Sequence, residues 1–212
     1  MTNPDSRELA RKLFLRMSLE RVAYSEDQQM QNLQEVSQGF VLPRLNLDTP
    51  YVIMGAHAAN HYQAPRHTED VDVLVEEENY PAICAELTAQ GYRFELELQV
   101  RDCFVEMYGA RYVKNTGENR IIDVITCSHE WVERAIAAAV RDRGGNLVLS
   151  IPFLVLSKIK GRTKDMSDLS MILGYAQGDT LAKTKDLLRT YAPDALDDLA
   201  SLVFIGKAYS GR

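Results

Sequence analysis

Two carboxylates stand side by side in a run that must otherwise bury: Asp70-Val71-Asp72-Val73-Leu74-Val75. In a β-strand, residues i and i+2 point to the same face, so Asp70 and Asp72 project together at the margin of a core. Carboxylates that close repel one another unless a cation lies between them. Asp-x-Asp alone often marks only a solvated strand end, so the surrounding sequence has to decide. Fifteen residues before Asp70, the apolar run Tyr51-Val52-Ile53-Met54 closes on Gly55, and Ala56 to Tyr62 reads as a short helix. A strand that ends in glycine and enters a helix leaves unpaired backbone N–H groups where phosphate oxygens bind well, and the missing Cβ permits close approach. A third acid, Asp123, interrupts the apolar strand Arg120-Ile121-Ile122-Asp123-Val124-Ile125, where an unpaired carboxylate is costly. If that strand lies beside the Asp70–Asp72 strand, three carboxylates meet. Such a set suits hard divalent cations and can hold two of them about 3.5–4 Å apart, as phosphoryl and nucleotidyl transfer require.

The rest of the chain frames this segment. The pattern predicts helices over roughly the first 45 residues, with stripes through Leu9, Leu13 and Met17, then Met30, Leu33 and Val36. A helix is expected from Glu76 to about Gln90, stopped by Gly91, and paired strands over Tyr92 to Val100 and Cys103 to Tyr108. Helices are expected over Glu130 to Arg141, Pro152 to about Arg162, Asp165 to Tyr175, Thr180 to Tyr191 and Pro193 to Tyr209, with a short strand over Leu147 to Ser150. Pro152 and Pro193 sit where first-turn prolines belong. Strand and helix alternate in the middle and helices dominate both ends, which predicts an α/β (α+β) protein with a small mixed sheet. The expected division is a helical N-terminal extension (1–45), a core (46–150) and a C-terminal helical region (151–212).

Composition narrows the function classes. The 212 residues are 46% hydrophobic and 25% charged, ordinary for a globular chain, and the net charge of −6 argues against a general nucleic-acid coat. Three cysteines without Cys-x-x-Cys spacing support neither a disulfide framework nor a zinc site. The charged N-terminus reads as no signal peptide, and no apolar run approaches the ~20 residues of a spanning helix. A cytoplasmic protein without a membrane partner is expected. His57 and His61 have the i,i+4 spacing of zinc ligands but lack a third partner nearby. Glu69 and Glu76 to Glu78 read as surface or helix-start acids, and Asp165 and Asp168 as helix braces. Trp131 and the tyrosines read as core. Lys158 and Arg162, i,i+4 on one expected helix, belong to a basic run with Lys160 and Lys164 that could attract a triphosphate. Arg66 could pair with a carboxylate or a phosphate.

The stretch YVIMGAHAANHYQAPRHTEDVDVLV resembles the signature of the DNA polymerase β-like nucleotidyltransferase superfamily: an apolar strand, Gly-Gly or Gly-Ser, a spacer of about a dozen residues, then Asp-x-Asp. Here the spacer, His57 to Glu69, is 13 residues. The Gly-Ala-His-Ala opening and the series Arg66, Thr68, Asp70, Asp72 look most like its small bacterial AbiEii-type, toxin-like members. The segment LVLSKIKGRTKDMSDLSMIL resembles their C-terminal helical motif, through Lys158, Lys164, Asp165 and Asp168. The likeness covers about residues 50–175. It implies a nucleotidyltransferase fold and Mg²⁺-dependent transfer of a nucleoside monophosphate from an NTP such as ATP to an acceptor hydroxyl. Two metal ions (Mg²⁺, with Mn²⁺ as the alternative) would be held by Asp70, Asp72 and Asp123. Gly55, Ala56, Lys158, Arg66 and Thr68 would bind the nucleotide. Ala56 departs from the family's glycine or serine and lacks the hydroxyl. The likeness further implies a tRNA end or a protein as acceptor, and an antitoxin as a partner in a toxin–antitoxin or abortive-infection system. The other readings are a non-catalytic binding module on the same fold and an antibiotic-modifying nucleotidyltransferase.

Overall fold

The structure, a computed structural model, describes residues 42, 44–101, 103–116, 120–176 and 178–209. The helical stripes expected through Leu9 and Met30 lie outside them. The polypeptide from Phe40 to Arg212 forms one compact unit.

Strand β1 (Val52–Ile53) leads into helix α1 (Gly55–Tyr62), and β2 (Asp70–Leu74) follows. A single 3-10 turn, Glu77–Asn79, precedes α2 (Tyr80–Ala89). The hairpin β3 (Arg93–Val100) and β4 (Met107–Val113) comes next, then β5 (Ile121–Thr126) and α3 (Trp131–Ala137). After the short pair β6 (Val140–Arg141) and β7 (Leu147–Val148) the chain is helical: α4 (Ile151–Lys158), α5 (Thr163–Tyr175), α6 (Gly178–Tyr191) and α7 (Leu196–Tyr209), the last two joined by a 3-10 turn at Pro193–Ala195. Among the described residues, seven strands form one mixed sheet in the order β3-β4-β5-β2-β1-β7-β6. The α/β architecture expected from the sequence is the one observed.

The centre of the sheet explains why these segments are strands. Val71 and Val73 of β2 are buried while Asp70 and Asp72 between them stay half-open, an alternation that fixes the register by keeping the valines in the core. β5 lies parallel to β2, a pairing that needs the long crossover supplied by α2 and the β3–β4 hairpin. Val73, Leu74, Ile122, Val124 and Trp131 share one apolar cluster with Leu154, Leu156, Leu169 and Leu173 of the C-terminal helices. Each such side chain contributes about 1.5–3 kcal/mol on burial, so the cluster fastens α4 and α5 to the sheet. Among the described residues, no helix is long and apolar enough to cross a membrane.

Three local expectations are corrected. The strand placed at Cys103 to Tyr108 is Met107–Val113, because its ladder to β5 runs from Tyr108↔Thr126 to Val113↔Ile121; the charged Arg111 within it masks the pattern. The helix drawn to Arg141 ends at Ala137, since Val140–Arg141 pairs with Leu147–Val148. The helix drawn from Pro152 to Arg162 ends at Lys158, where the Gly161 N–H donates to the Lys158 carbonyl. Arg162 instead begins α5, so Lys158 and Arg162 do not share a helical face.

Candidate active site

The register of β2, β5 and β4 builds the site. Asp72 stands directly opposite Asp123, and Asp123 directly opposite Arg111, so the three side chains form one row across the sheet. Asp70 lies two residues before Asp72 on the same face. One carboxylate oxygen from each of Asp70, Asp72 and Asp123 falls within 4.8 Å of the other two. The convergence that the sequence left conditional on strand order is therefore present.

The glycine turn sits on this row. Gly55 has φ +64°, and the Met54 N–H donates to the Asp72 carbonyl at 2.9 Å. A Cβ on Gly55 would lie 1.8 Å from Asp72 Oδ2. Glycine is thus required first by the carboxylate of this protein, and only then by any ligand. It opens an eight-residue helix whose first turn carries no capping side chain, which leaves backbone donors facing the cavity that Gly55 and Ala56 line.

The three acids differ in their partners. Asp123, 5% exposed, is gripped by the Arg111 guanidinium through two hydrogen bonds of 2.7 Å, from Nε to Oδ1 and from Nη2 to Oδ2. Asp70 accepts the Thr68 hydroxyl at 2.8 Å and a longer contact from Arg111 Nη2 at 3.3 Å. Burial pushes the Asp70 carboxyl up, but Thr68, its own backbone N–H, Arg111 and Lys164 outweigh that and hold it below the usual carboxylate range. Asp72 accepts no side-chain hydrogen bond among the described residues. Burial, and then the charges of Asp70 and Asp123, push its pKa up to about 7, against the weaker pull of Lys158 and Arg111. The three carboxylates lie close together with a single guanidinium bonded among them. Three hard oxygen donors in that condition fit Mg²⁺ or Mn²⁺.

Around the acids lies a cavity of about 310 Å³. Its basic lining is Arg66, Arg101, Arg111, Lys158, Arg162 and Lys164, against the acids Asp70, Asp72, Asp123 and Asp165. Leu98, Val100, Met107 and Ile125 add an apolar part to the lining. The residues the sequence assigned to nucleotide binding all border this cavity, but several of their polar ends are already committed. Arg66 turns to Asp168, with Nε at 3.2 Å from Oδ1 and Nη2 at 3.1 Å from Oδ2, so the carboxylate pairing that the sequence allowed is formed. Thr68 serves Asp70. Lys158 is buried, bonded to Asp165 and 3.8 Å from Asp168. Asp165 also accepts the Arg162 backbone N–H at 3.0 Å, so it braces the start of α5 as expected while neutralising Lys158. Lys164 differs: it is exposed, lines the cavity, acts electrostatically on Asp70 and has no ion pair or hydrogen bond among the described residues.

Sequence reasoning overlooked Arg111. Its signal was a single arginine in the alternating run Met107-Tyr108-Gly109-Ala110-Arg111-Tyr112-Val113, but its role depends on a strand pairing that the sequence does not state.

No family model matches the sequence, and no curated protein shows significant similarity to it. Among solved structures, the chain is similar to ANT(2'')-Ia in complex with adenylyl-2''-tobramycin, at 13% identity over 77% of this chain and 88% of that one, with a TM-score of 0.38. It is similar also to an antigenic nucleotidyltransferase-like protein from Paracoccidioides brasiliensis, at 17% identity over 73% and 84% of the two chains and a TM-score of 0.37.

Proposed function

We propose that this protein is a metal-dependent nucleotidyltransferase that moves a nucleoside monophosphate from an NTP to an acceptor hydroxyl. The observation that carries the proposal is the meeting of Asp70, Asp72 and Asp123 beneath a cavity with a helix start on one side and basic side chains around it. Asp70 and Asp72 are the residues to hold Mg²⁺ or Mn²⁺, with Asp123 completing the set. Bound there, the ions would supply charge neutralisation for the triphosphate and for the oxygens gained and lost at phosphorus. The first-turn N–H groups of α1 orient the phosphates. Asp123, once released by Arg111, would take the proton of the acceptor hydroxyl. The acceptor oxygen then bonds to the α-phosphorus, the bond to the β-phosphate breaks, and pyrophosphate leaves. In this scheme residues 46–150 carry the acids, the helix start and Arg66, Arg101 and Arg111, and residues 151–212 add Lys158, Arg162 and Lys164 to the basic lining. An RNA end or a protein side chain is the acceptor that the sequence resemblance favours, and the toxin of a toxin–antitoxin pair is the matching cellular role.

Purified protein incubated with Mg²⁺ and each α-labelled NTP tests the proposal, with total RNA, cell protein and aminoglycosides as separate acceptors. Label should pass to a macromolecular acceptor from wild type, and Asp70→Asn should lower the rate at least about 100-fold, the scale expected for removing one charge-stabilising group from such a site. No label in any acceptor with any NTP would overturn it, and labelling of the aminoglycoside alone would replace the macromolecular acceptor with a small one.

We assign the phosphate contact to Lys164 rather than to Lys158, because Lys158 is paired with Asp165 and Lys164 is exposed at the cavity. Lys164→Ala should raise KM for the NTP roughly tenfold, the worth of one charge-assisted contact, with the melting temperature unchanged. A larger KM effect from Lys158→Met, without loss of stability, would reverse the assignment.

A further inference from the structure

In the row of acids one positive charge is already seated. Arg111 reaches across from β4 and engages both oxygens of Asp123 at 2.7 Å, with a third contact to Asp70 at 3.3 Å. Bidentate arginine–carboxylate pairs are among the stronger polar contacts in proteins, and this one has a nearly buried acid as its acceptor. Asp123 thus has its near lone pairs occupied, Asp70 has one oxygen bonded to Thr68 and the other touched by Arg111, and Asp72 accepts no side-chain donor among the described residues. With all three carboxylates ionised, the guanidinium leaves two negative charges, which a single divalent cation balances. The Arg111 side chain is 27% exposed and borders the cavity.

We propose that Arg111 is a resident cation on Asp123, so that without nucleotide the protein binds one divalent ion, on Asp70 and Asp72, and admits a second only when Arg111 releases Asp123. The proposal rests on the metal-dependent reading of the site. It makes Arg111 a positioning residue: it keeps Asp123 aimed along the row, and it keeps the second ion out until a triphosphate brings its own negative charge. A compound able to draw the guanidinium away, through phosphate or carboxylate oxygens, would complete the metal set. The site would then be assembled by its substrate rather than in advance of it.

The test counts Mn²⁺ bound to the full chain without nucleotide, from the loss of the free-ion signal in electron paramagnetic resonance. Wild type should bind one ion. Arg111→Gln should bind two, the gained ion at least about tenfold tighter than any second ion on wild type, since a charged hydrogen-bonded competitor has been removed. Arg111→Lys, which keeps the charge but loses the fork, should fall between them. Diffraction from Mn²⁺-soaked wild-type crystals gives a check that does not depend on a variant folding: one anomalous peak beside Asp70 and Asp72, with Arg111 still on Asp123. Two ions on nucleotide-free wild type, a peak on Asp123 in the wild-type crystal, or an unchanged single ion in Arg111→Gln would each overturn the proposal and leave the metal-dependent reading standing. No Mn²⁺ on wild type or on either variant would overturn both.

Discussion

Replacing Gly55 with alanine should lower the melting temperature by roughly 6–12 °C and abolish the response of the protein to Mg²⁺. Two separate costs combine. The backbone at Gly55 has φ +64°, a region that a residue with a Cβ occupies at a cost of about 1–2 kcal/mol. The added methyl would also stand 1.8 Å from Asp72 Oδ2 and 2.7 Å from its Cγ, so the carboxylate must move. Together these amount to about 3 kcal/mol, and for a chain of this size each kcal/mol is worth roughly 2–4 °C. Gly145 provides the control: it too has positive φ, +83°, but a methyl added there would meet nothing within 4 Å. Gly145→Ala should therefore show the backbone cost alone and keep the Mg²⁺ response. Equal losses in the two variants, or a Gly55→Ala protein that still gains stability from Mg²⁺, would show that Asp72 is not held against the glycine.

Asp72→Asn should stabilise the metal-free protein at pH 8 while removing its stabilisation by Mg²⁺. The folded chain holds the Asp72 proton up to a pKa of about 7, above the ordinary carboxylate value. The folded state therefore binds this proton more tightly than the unfolded state does. The stability contributed by Asp72 is fully present below the unfolded pKa, near 4, and is lost as pH rises through about 7. Asparagine stays neutral and escapes that loss. The melting temperature of Asp72→Asn minus that of wild type, measured in EDTA, should be near zero at pH 4 and positive at pH 8. A gain on the order of 1–2 kcal/mol is expected, each pKa unit being worth about 1.4 kcal/mol before relaxation. Mg²⁺ acts in the opposite sense, displacing the proton, so wild type should gain more from it at pH 8 than at pH 6. A difference that does not change with pH in EDTA, or a variant that still responds to Mg²⁺, would contradict this account of the site.

These two positions show how the sequence and the structure divide the work. Gly55 is visible in the sequence as the end of a strand and the start of a helix, and close approach to a phosphate is a sufficient reason for it there. The structure supplies a nearer reason, the Asp72 carboxylate, from a strand that pairs antiparallel with β1. Lys158 is likewise visible as a lysine in an apolar helix, but its burial beside Asp165 and Asp168 depends on α4 stopping at Lys158 and α5 turning back. Of the exposed cations in the same basic run, Lys160 pairs with Asp194 and Arg162 with Asp165, which leaves Lys164 without an ion pair among the described residues.

What the sequence determined by itself is local: that Asp70 and Asp72 share a face, because the strand repeat is two residues, that the valines between them point into a core, and that a glycine ends the strand before α1. It also marked Asp123 as an acid unaccounted for in an apolar strand. Only the tertiary structure decided that β5 lies parallel to β2 with Asp123 opposite Asp72, and that β4 then brings Arg111 opposite Asp123. Alternation along a strand is written in neighbouring residues. Which strands become neighbours is settled by burial and backbone pairing summed over the whole sheet, and the partners of an acid placed there are known only once that sum is complete.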